Sequence, residues 1–207
     1  METHEAVIVL GTNISYIGVG ARWKMGDAVE FEDRLIKAHM LSENCIAHSS
    51  VFVRKSVLDK YGITYDETYR QSQDYRLWEM LREKGKFACL REKLLQYRLS
   101  AQQITNSSSG KQKGLADATR LRLQKAWLKS VGVLYSDNDL ENHPAIVLDE
   151  LRKRSDLKSQ PEYRMFVHYV YMNSPESIGF VHSLLSGDIT YLSHLNRIRI
   201  FVKMLKK

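Results

Sequence analysis

The segment from Ala6 to Gly18 most constrains the fold, because it is apolar and β-branched almost throughout. Such a run predicts one or two buried strands. A domain that begins with a buried strand needs neighbours for that strand. The sequence therefore predicts a sheet completed by later segments.

Helix and strand signals alternate through the first half of the chain. Gly62 and Gly85 are expected to end two helices, and Ser72 is expected to be the N-cap of the second, with Asp74 in its first turn. The predicted elements after the first strand are a helix over 30–41, a strand over 46–53, helices over 55–61 and 73–84, and strands over 87–90 and 94–99.

The second half has helical spacing only. A polar, serine-rich break over 102–114 precedes it. Helices are expected over 116–131 and 144–154, after a helix start at Ser174-Pro175-Glu176, and over 192–207. The sequence thus predicts an α/β region, residues 1–105, followed by an all-helical extension, residues 106–207.

The net charge of +7 over 207 residues is unevenly placed. Residues 1–100 carry 15 Lys/Arg and 14 Asp/Glu, whereas residues 101–207 carry 16 and 10. A basic second half suits an anionic lipid surface, a lipid pyrophosphate or nucleic acid. A solvated helical surface rich in lysine explains the same excess. No helix-turn-helix, zinc-finger or RNA-binding sheet pattern is present, so nucleic acid is not an expected partner.

Two cysteines, Cys45 and Cys89, lie among apolar neighbours at a spacing that matches no metal motif. Buried, reduced thiols are expected. The acidic, polar start Met1-Glu-Thr-His-Glu does not read as a signal peptide, and no apolar run reaches the ~20 residues of a membrane span. These features predict a cytoplasmic protein.

The stretch from Asn44 to Thr105 carries a recognisable order of residues. Asp66-Glu67 is followed by Gln73-Asp74-Tyr75, Leu77-Trp78, a Gly-Lys-Phe-Ala run and Tyr97-Arg98. This order resembles the acceptor-side half of the family 2 glycosyltransferases, which are inverting enzymes with a GT-A fold that use nucleotide sugars. The resemblance covers residues 6–105 and implies a partial GT-A-like mixed sheet.

Asp74 is the catalytic base that this resemblance implies. The family's aspartate takes the proton from the acceptor hydroxyl while that oxygen attacks the anomeric carbon. Its place at a helix N-terminus suits a carboxylate. Alternatively, Asp74 caps its helix or pairs with Arg70. The family has an acidic residue where this chain has Gln73. This departure leaves the catalytic base in place, but the role that the family's first acid plays is not expected of Gln73.

Further site residues are expected from the same resemblance. Arg98 is expected at a phosphate, although it could instead pair with Glu92 or Asp74, and the family's nearby histidine is Ser100 here. His48 could equally be a satisfied core histidine. The expected acceptor-binding residues are Asn44, His48, Gln73, Tyr75 and Trp78, and the expected phosphate-binding residues are Arg98, Gln103 and Thr105.

Asp137-Asn138-Asp139 has the residue pattern of the Asp-x-Asp metal motif of this fold, but not its position in the chain. The family's motif precedes the acceptor segment, whereas this tripeptide follows it. A Ser-Asp-Asn-Asp cluster ahead of a helix is ordinary N-cap chemistry. It also lacks the glycine and the glutamate of a calcium loop. No metal ligand is therefore assigned.

The nucleotide-binding half of such enzymes has no counterpart in this sequence. No Gly-rich phosphate loop and no usable Asp-x-Asp occur. The complete enzyme is expected to need Mn²⁺ or Mg²⁺ to neutralise the leaving diphosphate. The expectation is therefore a truncated acceptor-side portion that is inactive alone.

The resemblance also suggests where the protein acts. Its implied partners are a nucleotide sugar and a glycan or lipid-linked acceptor of bacterial surface polysaccharide synthesis. The basic segment 192–207 is expected to rest on the inner membrane surface, or else to pack with its lysines outward. The edge of an incomplete sheet favours self-association. The alternative function is a non-catalytic module that binds a glycan or a partner protein.

Overall fold

The computed structural model describes residues 1–18, 32–69, 71–100 and 110–173. These residues form a mixed three-stranded sheet with helices, followed by a helical region, and the predicted α/β class is confirmed. The elements are β1 (Val7–Gly18), α1 (Asp33–His39), a 3₁₀ turn (His48–Ser50), β2 (Phe52–Val53), α2 (Lys55–Tyr61), α3 (Gln73–Leu81), β3 (Lys86–Leu99), α4 (Gly110–Ser130), α5 (Asp137–Asn142), α6 (Pro144–Arg152), a 3₁₀ turn (Ser155–Leu157) and α7 (Pro161–Asn173).

The sheet has the order β2-β1-β3. β1 pairs antiparallel with β2, where Val9 lies opposite Val53. It pairs parallel with β3 from Val7 opposite Lys86 to Gly18 opposite Leu99. A parallel pair needs a long crossover, and α1, α2 and α3 belong to it here. The predicted buried first strand is confirmed.

One irregularity separates the two halves of β3, which the sequence predicts as two strands. Thr12 lies opposite Leu90, but Asn13 lies opposite Lys93. The buried Asn13 side chain donates a 2.8 Å hydrogen bond to the carbonyl of Arg91. This bond gives the Arg91 carbonyl a hydrogen-bond partner at the shift in register, so β3 continues through the bulge.

The core around the sheet lies between β1, β3 and the helices α1 and α3. The buried members are Ile8, Val9, Ile36, Met40, Ile46, Tyr75, Leu77, Trp78, Leu81, Phe87, Cys89 and Leu123. Burial raises the pKa of the Cys89 thiol to about 11. The expectation of a buried thiol is confirmed for this cysteine.

The strand predicted over 46–53 is wrong for most of its length. Only β2 is extended in a ladder, and a 3₁₀ turn over His48–Ser50 precedes it. Ser50 Oγ donates to the Ala47 carbonyl at 2.8 Å and accepts from the Thr12 N–H at 3.3 Å. These local bonds replace ladder bonds, which is how serine competes with regular structure.

Two helices, α2 and α3, are predicted to end at glycines, and they end differently. α2 ends before Gly62, whose φ of 58° is the left-handed conformation expected of a helix C-cap, so this prediction is confirmed. α3 ends at Leu81 rather than at 84. A Cβ at Gly85 would lie 2.5 Å from Ile8 Cγ2, so the chain turns early to bring Gly85 against β1.

The chain divides into two compact units between Leu123 and Gln124, inside α4. In the second unit, Trp127 and Phe166 pack with their ring centroids 5.8 Å apart. The buried residues of this unit include Leu128, Leu140, Val147, Leu148, Leu151, Leu157 and Val170. The helical character predicted for this part of the chain is confirmed as far as residue 173.

None of the helices in the described ranges combines the length and the apolarity that crossing a membrane requires. The predicted helix start at Ser174 and the predicted helix over 192–207 lie outside the described residues, as do Gln103 and Thr105.

Candidate functional site

Asp74 lies in the first turn of α3 and is half-buried. Its Oδ2 accepts a 2.7 Å hydrogen bond from the Asn44 side-chain amide. Ser72, at the N-cap, has a φ of 60° and makes no side-chain capping bond. The predicted N-cap position is thus confirmed, but the capping bond is not made. In the described part of the chain, Ser72 is the non-glycine residue that has a positive φ. Backbone strain of this kind is concentrated at functional sites, which favours a functional role for the start of α3.

Asn44 approaches Asp74 from the segment that follows α1. Its neighbour Cys45 directs its thiol to the Ile36 carbonyl at 3.6 Å, which ties this segment to α1. Asn44 Oδ1 is buried and has no hydrogen-bond partner in the described part of the chain. A buried acceptor without a partner is costly. The Asn44 side chain therefore holds the Asp74 carboxylate through its amide nitrogen, while its amide oxygen has no partner among the described residues.

His48 and Tyr65 form a pair beside this carboxylate. His48 Nε2 and Tyr65 Oη are 2.8 Å apart, and the His48 ring lies edge-on to Trp78 with centroids 6.3 Å apart. Partial burial and the negative charge of Asp74 together raise the pKa of the Tyr65 hydroxyl. Tyr65 therefore lies within the field of Asp74. His48 is exposed, so its interpretation as a core histidine is wrong.

Tyr75 and Trp78 face the core rather than this surface. They are 3% and 0% exposed, respectively. The Tyr75 hydroxyl donates to the Met40 carbonyl, and burial raises its pKa. Trp78 packs edge-on to Phe87 with centroids 6.4 Å apart. Direct contact with an acceptor, as expected of both, would require exposing them, so the structure places them beneath the site.

The remaining expected residues are spread more widely. Gln73 lies beside Asp74 in the first turn of α3 and is half-buried. Arg98 is exposed on β3, opposite Ile17 of β1. The described structure thus brings Asn44, His48 and Asp74 together and adds Tyr65, which the sequence did not single out. No local pattern marks Tyr65, because its partners lie 17 and 9 positions away in sequence.

The loop that carries Tyr65 is anchored by charged residues. Asp66 lies 3.8 Å from Arg76, which in turn binds Glu79 at 2.7 Å. Arg122 of α4 donates hydrogen bonds to both carboxylate oxygens of Glu79, at 2.6 and 2.7 Å, and to the Tyr69 hydroxyl at 3.0 Å. The bonds to Glu79 raise the pKa of Arg122. This fork joins α3, α4 and the end of the loop.

No metal centre is evident in the described ranges, which contain no cluster of three or more His, Cys, Asp or Glu side chains able to hold an ion. Asp137 and Asp139 lie in the first turn of α5, where Asp139 and Ser136 form a capping box. The interpretation of this tripeptide as N-cap chemistry is confirmed. The Mn²⁺ or Mg²⁺ implied by the resemblance finds no fitting ligand set among the residues that the structure describes.

Comparisons with models of protein families, with curated proteins and with solved structures found no match.

Proposed function

We propose that this chain supplies the acceptor side and the catalytic base of an inverting glycosyltransferase. The observation that carries the proposal is the Asn44–Asp74 hydrogen bond of 2.7 Å at the start of α3. It holds a half-buried carboxylate at a surface that also presents two hydrogen-bonding rings, those of His48 and Tyr65. An orientated carboxylate beside such groups suits the deprotonation of a sugar hydroxyl.

The proposed chemistry needs one base. Asp74 accepts the proton of the acceptor hydroxyl while that oxygen forms a bond to the anomeric carbon of the donor. The bond from this carbon to the nucleoside diphosphate breaks on the opposite face, and its electron pair leaves with the diphosphate. Asn44 fixes the carboxylate through Oδ2, so that the proton is taken in a defined direction.

A leaving diphosphate needs cationic groups or a metal to stabilise it. Arg98, Gln103 and Thr105 are kept as proposed phosphate contacts, and a nucleotide-binding partner region is proposed to supply the rest. A lipid-linked acceptor at an anionic membrane, reached through the basic segment 192–207, is likewise proposed.

A binding role without catalysis is the second candidate. It is favoured by the exposed Tyr65 ring, since exposed aromatic rings with a polar end serve as binding surfaces. This role needs the rings but not the Asp74 carboxylate. The two candidates therefore differ in what removing that carboxylate does.

The test replaces Asp74 by Asn in the chromosomal copy of the source organism and measures lipid-linked and surface glycans by mass spectrometry. Loss of the base should reduce turnover by roughly 10²–10⁴-fold, so one glycan should disappear as it does in a deletion strain. Asp59→Asn, on the exposed face of α2, is the matched control and should retain it. A glycan that is lost on deletion but kept in Asp74→Asn contradicts the base and favours the binding role.

A further inference from the structure

An open groove lies next to the Asp74 surface, with a volume of about 510 Å³. It runs from the end of α2 along the loop that follows to the end of α3. We call it the Tyr61–Tyr65 groove. Its lining includes Tyr61, Gly62, Thr64, Tyr65, Asp66, Met80 and Lys84.

Tyr65 belongs to both the groove and the candidate site. It lines the groove, its hydroxyl lies 2.8 Å from His48 Nε2, and Asp74 acts on it electrostatically. A ligand extended along the groove past Tyr65 therefore arrives at the carboxylate.

The walls of the groove combine aromatic and polar surfaces. Tyr61 and Tyr65 are 44% and 48% exposed, so both rings are open to a ligand. Thr64 and Tyr65 add hydroxyl groups, and Met80 adds an adaptable apolar surface. Saccharides match such walls, since each ring offers C–H faces to aromatic rings and hydroxyls to polar groups.

One end of the groove is cationic. Lys84 Nζ and Lys60 Nζ lie 4.7 and 5.3 Å from the centroid of the Tyr61 ring. Of these two lysines, Lys84 lines the groove. The Asp66 carboxylate also lines the groove, on the loop that carries Tyr65, and Asp74 acts electrostatically on Tyr65. An anionic group of a ligand would thus be attracted to Lys84 and repelled from Asp66 and Asp74.

We propose that the Tyr61–Tyr65 groove binds an anionic oligosaccharide, with its carboxylate or phosphate at Lys84. The sugar next along the chain contacts Tyr65 and directs a hydroxyl towards Asp74. The role of this oligosaccharide as the acceptor rests on the proposed function, whereas its binding does not. Carboxylate and phosphate share the chemistry that recognises them here.

The experiment follows backbone amide signals of the full chain by NMR during titration. The probes are galacturonate and hyaluronan tetrasaccharides, their carboxyl methyl esters and a phosphorylated maltotetraose. Acidic probes should shift signals of Gly62, Thr64, Tyr65 and Lys84, and the neutral esters should bind at least about tenfold more weakly because the charge-assisted contact is lost. Preference among the acidic probes assigns carboxylate or phosphate.

Two variants locate the site. Lys84→Ala should weaken acidic binding about tenfold, whereas Lys55→Ala, an exposed lysine of α2 paired with Asp59, should not. Gly62→Asn should weaken binding, because Gly62 lines the groove, a Cβ there meets nothing within 4 Å and asparagine tolerates its left-handed φ. Gly132→Asn, with a φ of 76° and the same open surroundings, controls for the substitution.

The proposal is overturned if no acidic probe shifts these signals, if the esters bind equally well, or if Gly62→Asn and Gly132→Asn bind alike. Its failure is distinct from that of the proposed function. Shifts confined to Asn44, His48 and Asp74 overturn the groove and leave the base proposal standing. Groove binding in a protein whose Asp74→Asn strain keeps its glycan supports the groove and overturns the base.

Discussion

The Asn44 side-chain amide donates to the Asp74 carboxylate across 30 positions of sequence, at 2.7 Å. This bond joins the segment after α1 to the start of α3, and it sets both the direction of the carboxylate and the electrostatics around it. Changes at Asn44 should therefore be felt at Asp74 before they are felt elsewhere.

Asn44→Asp should make stability depend on pH. Two adjoining carboxylates raise the pKa of one of them above its unfolded value. The folded state then binds more protons than the unfolded state, so the variant's deficit of about 1–2 kcal/mol at pH 7 should shrink as the pH falls below about 5. Urea unfolding between pH 4 and 8 measures it. Asn142→Asp, which alters an exposed amide pair with Asn138, should show no such trend.

Substitutions of Trp78 distinguish a role in the core from contact with an acceptor. Trp78→Ala should lose about 3–5 kcal/mol of unfolding free energy, as is typical of a vacated aromatic core site. Its indole N–H has no hydrogen-bond partner in the described part of the chain. Trp78→Phe should therefore lose only about 1 kcal/mol and keep the glycan product. A stable Trp78→Phe protein without the product would restore the acceptor role.

Gly85 should not accept a side chain. A Cβ there would meet Ile8 Cγ2 at 2.5 Å, so Gly85→Ala should destabilise the protein by about 1–3 kcal/mol. Gly114→Ala, in α4 with nothing within 4 Å, should instead stabilise by about 0.5–1 kcal/mol. Thermal unfolding of both variants checks the pair. Equal effects would contradict the close packing of Gly85 on β1.

Arg122 should control the mobility of the loop that carries Tyr65. Arg122→Ala removes the fork to Glu79 and the bond to Tyr69. Because Arg122 is partly exposed, the loss of global stability should be only about 1 kcal/mol. Amide hydrogen exchange over residues 63–69 should accelerate severalfold. Arg152→Ala, an equally exposed arginine paired with Asp149, should leave that exchange unchanged.

The sequence predicts those parts of the fold that depend on near neighbours. Gly62 ends α2 because a left-handed residue terminates a helix, and Asp74 falls in the first turn of α3 as its spacing indicates. The apolar run of β1 is buried as expected. Each of these outcomes depends on a few adjacent residues, so composition and spacing suffice.

The parts that escape prediction depend on distant residues. The bulge opposite Asn13 requires the Arg91 carbonyl, and the turn at His48–Ser50 requires Thr12. The phase of α3 turns Tyr75 and Trp78 inward, although both adjoin the expected base in sequence. Tyr65 joins the site only through His48 and Asp74. None of these partnerships leaves a local signal.

The parallel pairing of β1 with β3 also has a consequence for biosynthesis. Val7 lies opposite Lys86, so β1 must await about 80 further residues before its longest partner exists. At the usual rates of translation this delay lasts roughly 4–16 s. During that time an apolar strand of 12 residues lacks the contacts that later bury it. Newly made chains should consequently depend on chaperone capture at β1, and their refolding in vitro should be slow for a domain of this size.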